Sequence, residues 1–547
     1  MNSKFDISRR ELIMAGAAAA IVAGGTGPAL AQTGAKPAPK GQAILGFSQE
    51  IKVLNPHAFA LIVDRAIWPA LYDQLWEIDA KGNYVPKLAK EVPSLENGGI
   101  SKDGLTWTVK LRENIKWHDG KPFTADDVKF NLELLNAPNF KAMSRRGHEL
   151  IKEIKVLGPH EVSWTMSQPF APYLSLMAWV FLVPKHAFDG VDPNEAPFNN
   201  APIGTGPFRW GEKVAGNQIL LRANTEYWGE GPYLERLVFK YIPDATAMYA
   251  QFKGGQIDYI GIRGILPNLY AEAKALPGRK VTSNAGASVE GIAFNLSNPV
   301  LADKAVRQAL YFAINKSVII DIVTEGTALP AESVYPSSSW AYNDKIPPHQ
   351  FDLARANALL DQAGWVRGAD GIRSKGGKRL EFAVSSTSGD EIREQIEQIL
   401  VQDWQKIGVS LKVDNKAAAF LFGSFLQKSQ FEAMLTTANY FLGEDPDCSA
   451  RFSASSIPNK TGSGSNYYYY ENAEADQLLA KGVVTFDRGE RKAIYARVQE
   501  LLREDLPILP IYRPAVIEGT KANLTGYVDN PNMPNNVWNV GTWRLVG

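Results

Sequence analysis

Residues 117–128 read Trp117-His118-Asp119-Gly120-Lys121-Pro122-Phe123-Thr124-Ala125-Asp126-Asp127-Val128. Asp119-Gly120 is a turn dipeptide. Thr124 followed by two acids is a helix start, because its side-chain oxygen accepts from an orphan amide and carboxylates favour the positive end of the helix. Just upstream, Leu105-Thr106-Trp107-Thr108-Val109-Lys110-Leu111 alternates apolar and polar side chains with the two-residue period of a half-buried strand. Strand, turn and capped helix therefore follow one another, and the predicted fold class is α/β.

The same alternation runs outward in both directions. Residues 43–49 and 218–222 read as strands, as do 237–242, while 64–77 places Ile67, Leu71, Leu75 and Trp76 at helical spacing. A helix is expected at 245–253. Residues 303–314 put Val306, Leu310 and Ile314 on one face, and 391–407 do the same with Ile392, Ile396, Ile399, Leu400 and Trp404. A strand follows at 409–413. A late helix at 491–502 stops at Asp505-Leu506-Pro507, where proline cannot continue it. The four rings Tyr467–Tyr470 read as a strand whose alternate side chains face opposite sides, so that at most two line one pocket.

Composition removes several function classes. The 547 residues are 45% hydrophobic and 21% charged, which suits a folded chain of about two to four domains or one large interleaved body. With 58 Lys+Arg against 58 Asp+Glu there is no net field to gather nucleic acid. The single cysteine, Cys448, allows neither an internal disulfide nor a cysteine-rich metal cluster. The six histidines contain no HxxxH or HExxH pair, and no GxSxG elbow or Walker loop precedes a helix. Gly204-Thr205-Gly206 lacks the lysine of a phosphate loop and reads as a tight turn. No cofactor, no metal and no catalytic set is predicted.

The first 31 residues have the grammar of a cleaved export signal: a polar start ending in Arg9-Arg10, an apolar run from Leu12 to Gly25, and the small-residue end Ala29-Leu30-Ala31. That run is shorter than the roughly 20 residues that span a bilayer. Ser8-Arg9-Arg10-Glu11-Leu12-Ile13 resembles a twin-arginine signal, with an ordinary secretory signal as the alternative. No cysteine follows the run, so a lipid anchor is not expected, and the location predicted is the periplasm. Residues 32–40 read as a flexible leader. Removing residues 1–31 takes Lys4, Arg9 and Arg10 against Asp6 and Glu11, which leaves the body about one unit negative.

A series of blocks carries a family resemblance: Leu71 to Leu75, Pro86 to Ala89, Asp103 to Arg112, the stretch 117–128, Gly204 to Phe208, Asn224 to Trp228, Phe294-Asn295-Leu296, Val306 to Leu310, Ala363-Gly364-Trp365, and Asp505 to Pro510. In this order they resemble the family 5 extracellular solute-binding proteins, the group that includes dipeptide-, oligopeptide- and nickel-binding components of ABC importers. The resemblance implies the two-lobe, type II periplasmic binding-protein fold, with an inserted subdomain and a ligand cleft between the lobes. It places lobe I at 41–76, 203–296 and 512–547, the insert at 77–202 and lobe II at 297–511.

The resemblance also implies candidate ligand contacts. His57 and Phe59 follow Leu54-Asn55-Pro56 in a loop that faces the cleft in this family; the alternative is a surface histidine and a packing ring. Tyr440, Phe441, Glu444 and Asp445 fall in an aromatic and Asp-Pro segment that lines the family's pocket, or Asp445-Pro446-Asp447 caps a turn. Where dipeptide-binding relatives hold the ligand's amino terminus with an aspartate, this chain has Leu442. Arg393, at a helix start, falls near the family's ligand-carboxylate anchor, the alternative being a solvated arginine. His118 is read as structural. The function implied is capture of a peptide or peptide-like small molecule and delivery, by a monomer, to an ABC permease with its ATPase. An opine, an oligosaccharide or a metal chelate is the alternative cargo, and a secreted hydrolase the remote one.

Overall fold

The stretch 117–128 does locally what its residues dictate. In the computed structural model, which describes residues 36–262, 264–439, 445–462, 464–531, 533 and 536–546, Gly120 takes φ +89° to close the turn. The helix Ala125–Asn136 begins at Thr124. Asp127 sits three residues in, and its carboxylate accepts from the backbone N–H of Thr124 at 2.9 Å, that of Lys185 at 3.0 Å and Trp117 Nε1 at 3.3 Å. One acid thus caps the helix and ties it to two other segments. The helix lies against a three-stranded sheet, Thr106–Lys110, Glu161–Met166 and Ile151–Gly158. Trp107, Trp164 and Tyr173 interlock in the core beneath it.

Two larger sheets make the rest. The seven-stranded one runs, in spatial order, Arg279–Ala285, Ala515–Lys521, Tyr259–Ile260, Gln42–Phe47, Arg236–Tyr241, Gln218–Ala223 and Phe208–Val214. Gln42–Phe47 is parallel to both its neighbours and packs Ala43, Leu45 and Phe47 into the first core. The six-stranded sheet runs Leu329–Pro330, Ile508–Arg513, Val289–Phe294, Ala433–Ala438, Glu381–Ser385 and Ser410–Val413. Helices Lys304–Phe312, Leu353–Gln362 and Glu391–Lys406 supply Val306, Leu310, Leu360, Ile396, Leu400 and Trp404 to its core.

The structure departs from the sequence reading at three places. Residues 64–77 are not one helix: a turn at Asp64–Ala66 and a single helical turn at Trp68–Leu71 give way to a strand at Trp76–Ile78. Asp64 accepts from the backbone N–H groups of Lys52, Val53 and Leu61, and Asp73 from Thr205, Tyr227 and Trp228. Those tertiary hydrogen bonds outweigh the helical spacing. Tyr467–Tyr470 is not a strand, because Tyr469 takes φ +56°. Asn466 holds the turn by donating to the carbonyls of Ser453 and Tyr470, which buries Tyr468 and Tyr470. Finally, Val289–Phe294, assigned by sequence to lobe I, pairs on both edges within the six-stranded sheet.

Candidate ligand site

Two segments, and no others among the described residues, carry the chain between the large sheets. One, at 286–288, links Arg279–Ala285 to Val289–Phe294; the other is Pro514, between Ile508–Arg513 and Ala515–Lys521. They run side by side, since Gly286 N–H donates to the Pro514 carbonyl at 3.0 Å and Ala285 stands in register with Ala515. A pair of adjacent extended segments resists shear between the sheets and leaves bending as the soft motion.

Charged groups gather on the six-stranded side of this junction. Arg393 sits at the start of the helix Glu391–Lys406, where Asp390 caps the Arg393 N–H at 3.3 Å. Its guanidinium reaches Glu290 at 2.9 Å and Thr437 at 2.9 Å, with Thr387 at 3.3 Å. Thr437 also donates to Glu290. Burial pushes the Glu290 carboxyl up and Arg393 pulls it back down. The arginine's charge is therefore already met within the protein.

Asp445 is engaged likewise. Arg491 donates to both its oxygens at 2.7 Å, a bidentate pair with side chains 7% and 2% exposed. Asp447 N–H donates to Asp445 Oδ1 at 2.9 Å, so the Asp-Pro-Asp segment is a turn held from inside. Trp340 lies under Arg488 and Arg491. Tyr440, Phe441 and Glu444, and Leu442 with them, lie outside the described residues.

Of the two candidates in the first loop, His57 is buried and Phe59 is 73% exposed. His57 Nε2 lies 2.6 Å from Asn131 Oδ1, and that oxygen also accepts from Val183 N–H while Asn131 Nδ2 donates to two carbonyls. The amide orientation is thus fixed, and His57 must carry its proton on Nε2. Burial lowers its pKa to about 4, against the Asn131 hydrogen bond, so the ring is neutral. Phe59, Leu61 and Ile62 form an exposed apolar rim beside it. His118 is a brace: its Nδ1 accepts from Gly204 N–H at 3.1 Å and its Nε2 donates to the Gly206 carbonyl at 3.0 Å. A Cβ on Gly204 would stand 1.7 Å from the Leu71 carbonyl oxygen, which is why the Gly-Thr-Gly turn admits no side chain there.

Sequence reasoning missed two groups. Arg146, between the helix Ala125–Asn136 and the strand Ile151–Gly158, donates to Asp447 at 2.5 Å and to Ser449 at 3.1 Å, across to the six-stranded body. Beside that tie, Ala171 N–H donates to the Val483 carbonyl and Trp107 meets Phe486 at 6.1 Å. Arg513 closes the apolar strand Ile508–Arg513 directly before the crossing Pro514. The signal for it was available, an arginine ending an apolar run before a proline. For Arg146 no local signal exists, because its partner is 301 positions away. Two hollows, one beside Lys213 and Phe239 and the other beside Phe452 and Gln499, lie elsewhere, each within one body and lined by none of the crossing residues.

Two mixed sheets joined by two adjacent segments, with charged groups beside the junction, make the two-lobed α/β fold of a solute-binding protein. More closely, the chain belongs to the bacterial extracellular solute-binding proteins of family 5, whose middle region matches residues 83–460. It is 29% identical over 520 residues to the oligopeptide-binding protein AppA of Bacillus subtilis, covering 93% of each chain. The structure of that protein with a nonapeptide superposes with a TM-score of 0.76, covering 94% of this chain and 100% of the other. NikZ from Campylobacter jejuni, solved with Ni(L-His), is 30% identical with a TM-score of 0.76, covering 92% of this chain and all of its own. The ABC transporter substrate-binding protein CtaP from Listeria monocytogenes is 25% identical with a TM-score of 0.80, over 93% of this chain and 100% of that one. This chain is accordingly a solute-binding component of the ABC-importer kind. Among the described residues no helix is long and apolar enough to cross a membrane, and no group of His, Cys, Asp and Glu is placed to hold a metal ion.

Proposed function

We propose that this protein captures a peptide or peptide-like solute in the periplasm and hands it, chemically unchanged and as a monomer, to an ABC permease. The observation that carries the reading is the hinge: two lobes joined by the paired segments at 286–288 and Pro514. Such a junction lets rigid bodies close on a ligand, and the difference between open and closed states is what a permease senses. Lobe I then comprises 41–76, 203–285 and 515–547, lobe II 289–513, and 77–202 is the insert. Similarity to oligopeptide-binding AppA supports the peptide class. Residues 1–31 act as a twin-arginine export signal that is removed without leaving a lipid anchor. Of the candidate contacts, Phe59 with its apolar neighbours forms one wall of the cleft, while His57, Arg393 and Asp445 support the walls from behind. Tyr440, Phe441 and Glu444, outside the described residues, are the remaining candidates for contact with the solute.

The test is native mass spectrometry of the mature protein purified from its own periplasm, followed by a denaturing run. A released peptide or conjugate supports the reading. A sugar or metal chelate overturns the peptide class, and a compound chemically altered on incubation overturns transport. An empty protein goes to thermal-shift screening, where a ligand at about 100 times its dissociation constant stabilises the bound form by about 2.7 kcal/mol.

The Arg146–Asp447 pair supplies a second expected result. The Asp447 side chain is fully buried with the pair made. When the lobes part, water reaches Asp447, so losing Arg146 acts on opening more than on unfolding. Arg146→Ala is expected to weaken solute binding by roughly tenfold, with a larger radius of gyration in solution scattering. Unchanged affinity and radius would show that the pair does not hold the closed form.

A further inference from the structure

Among the described residues five arginines are buried: Arg307, Arg373, Arg393, Arg491 and Arg513. Four of them are satisfied. Arg307 donates to the carbonyls of Asp505, Leu301 and Ala302. Arg373 pairs with Asp361 and donates to the carbonyls of Trp365 and Ile407. Arg393 has Glu290, and Arg491 has Asp445.

Arg513 has no such partner. It is 4% exposed, its Nη1 reaches the Gly286 carbonyl only at 3.5 Å, and its buried Nη2 meets no acceptor. No carboxylate among the described residues pairs with it. Burial lowers its pKa to about 10, with Tyr342 opposing. A buried charge without a counter-ion costs stability, and a fold retains one where a ligand completes it. Its position suits that role, since it precedes the crossing Pro514 and, among the described residues, its guanidinium's one hydrogen bond is with the other crossing, at Gly286. The candidate carboxylate anchor Arg393 is by contrast already neutralised by Glu290.

We infer that Arg513 anchors a carboxylate of the bound solute at the base of the cleft, an inference that rests on the solute-binding reading above. A planar fork with one free nitrogen and one loosely held matches two carboxylate oxygens. One guanidinium also balances a single negative charge, whereas a dianion buried there would stay half-neutralised.

The test uses the full mature chain and has two arms. In the first, with no peptide, Arg513→Met is expected to raise the melting temperature by about 2 °C or more, because the uncompensated charge is gone. Acetate replacing chloride at equal ionic strength is expected to raise the melting temperature of the wild type and Arg513→Lys by more than that of Arg513→Met, while the general stabilisation by sulfate is alike in all three. In the second, a peptide pool is offered with free and with amidated C-termini. The wild type is expected to prefer the free acids by roughly 10- to 100-fold, and Arg513→Met to lose that preference. A lower melting temperature for Arg513→Met with an undiminished acetate effect overturns the anchor, as does an undiminished preference for free acids. If neither peptide form binds the wild type while the acetate arm behaves as expected, the anchor stands and the peptide class fails. If acids and amides bind alike to both proteins, the anchor fails and solute binding stands.

Discussion

Replacing Asp445 by asparagine is expected to cost about 3–5 kcal/mol of folding stability, the penalty for leaving one member of a buried ion pair uncompensated. The pair is bidentate, at 2.7 Å on both oxygens, and neither side chain is more than 7% exposed. Arg491 retains the Gly482 carbonyl and the Tyr495 hydroxyl, which accept hydrogen bonds but do not neutralise it. A second substitution separates charge from packing. Adding Arg491→Met to Asp445→Leu is expected to recover most of the loss, because two isolated charges become two apolar groups. Urea unfolding of both variants reads the effect directly. A single-mutant cost below about 1 kcal/mol would place Asp445 among residues free to meet a ligand instead.

Acidification should have the second large effect. His57 and His148 are buried as neutral rings, and burial lowers their pKa values to about 4 and about 3. In the unfolded chain each titrates near 6.5. As pH falls below that value the unfolded chain takes up a proton that the folded one refuses, so stability present above pH 6.5 is lost progressively toward pH 4. For each ring the loss between pH 7 and pH 4.5 is about 2 kcal/mol. Burial raises the carboxyls of Glu290, Asp447 and Glu518, which works in the opposite sense, since the folded protein holds their protons more tightly. The clean readout is therefore a difference. His57→Gln is expected to lose about 2 kcal/mol less than the wild type between pH 7 and pH 4.5. Parallel pH profiles for the two proteins would mean that His57 is protonated in the folded state.

Much of the fold was legible because its signals are local. Residues 117–128 encode a turn and a helix start within one short stretch, and Asp127 completes the cap from three residues inside the helix. The strands at 42–47, 218–223 and 236–241 and the helix at 391–406 come within a residue or two of the spans read from periodicity. Where the reading failed, distant hydrogen bonds decided the backbone: Asp73 is drawn to Thr205, Tyr227 and Trp228, and Asn466 wraps the tyrosine run into a turn. Val289–Phe294 pairs within the six-stranded sheet for the same reason, since a strand's sheet is set by its partners and not by its own side chains.

The candidate site was legible only as a neighbourhood. The sequence by itself determined the α/β class, the order of most elements, the absence of disulfide and cysteine-metal chemistry, and the blocks that mark the family, because all of these rest on residue type and short-range spacing. Tertiary structure alone decided which charges are already spent. Arg393 meets Glu290 from 103 positions away and Asp445 meets Arg491 from 46, so two residues that look like free ligand contacts in sequence are internally paired. Among the described residues Arg513, marked in sequence only by closing an apolar run before Pro514, is left without a counter-ion. A charge's availability depends on what lies within a few ångströms of it, and in this fold those neighbours come from the far side of the chain.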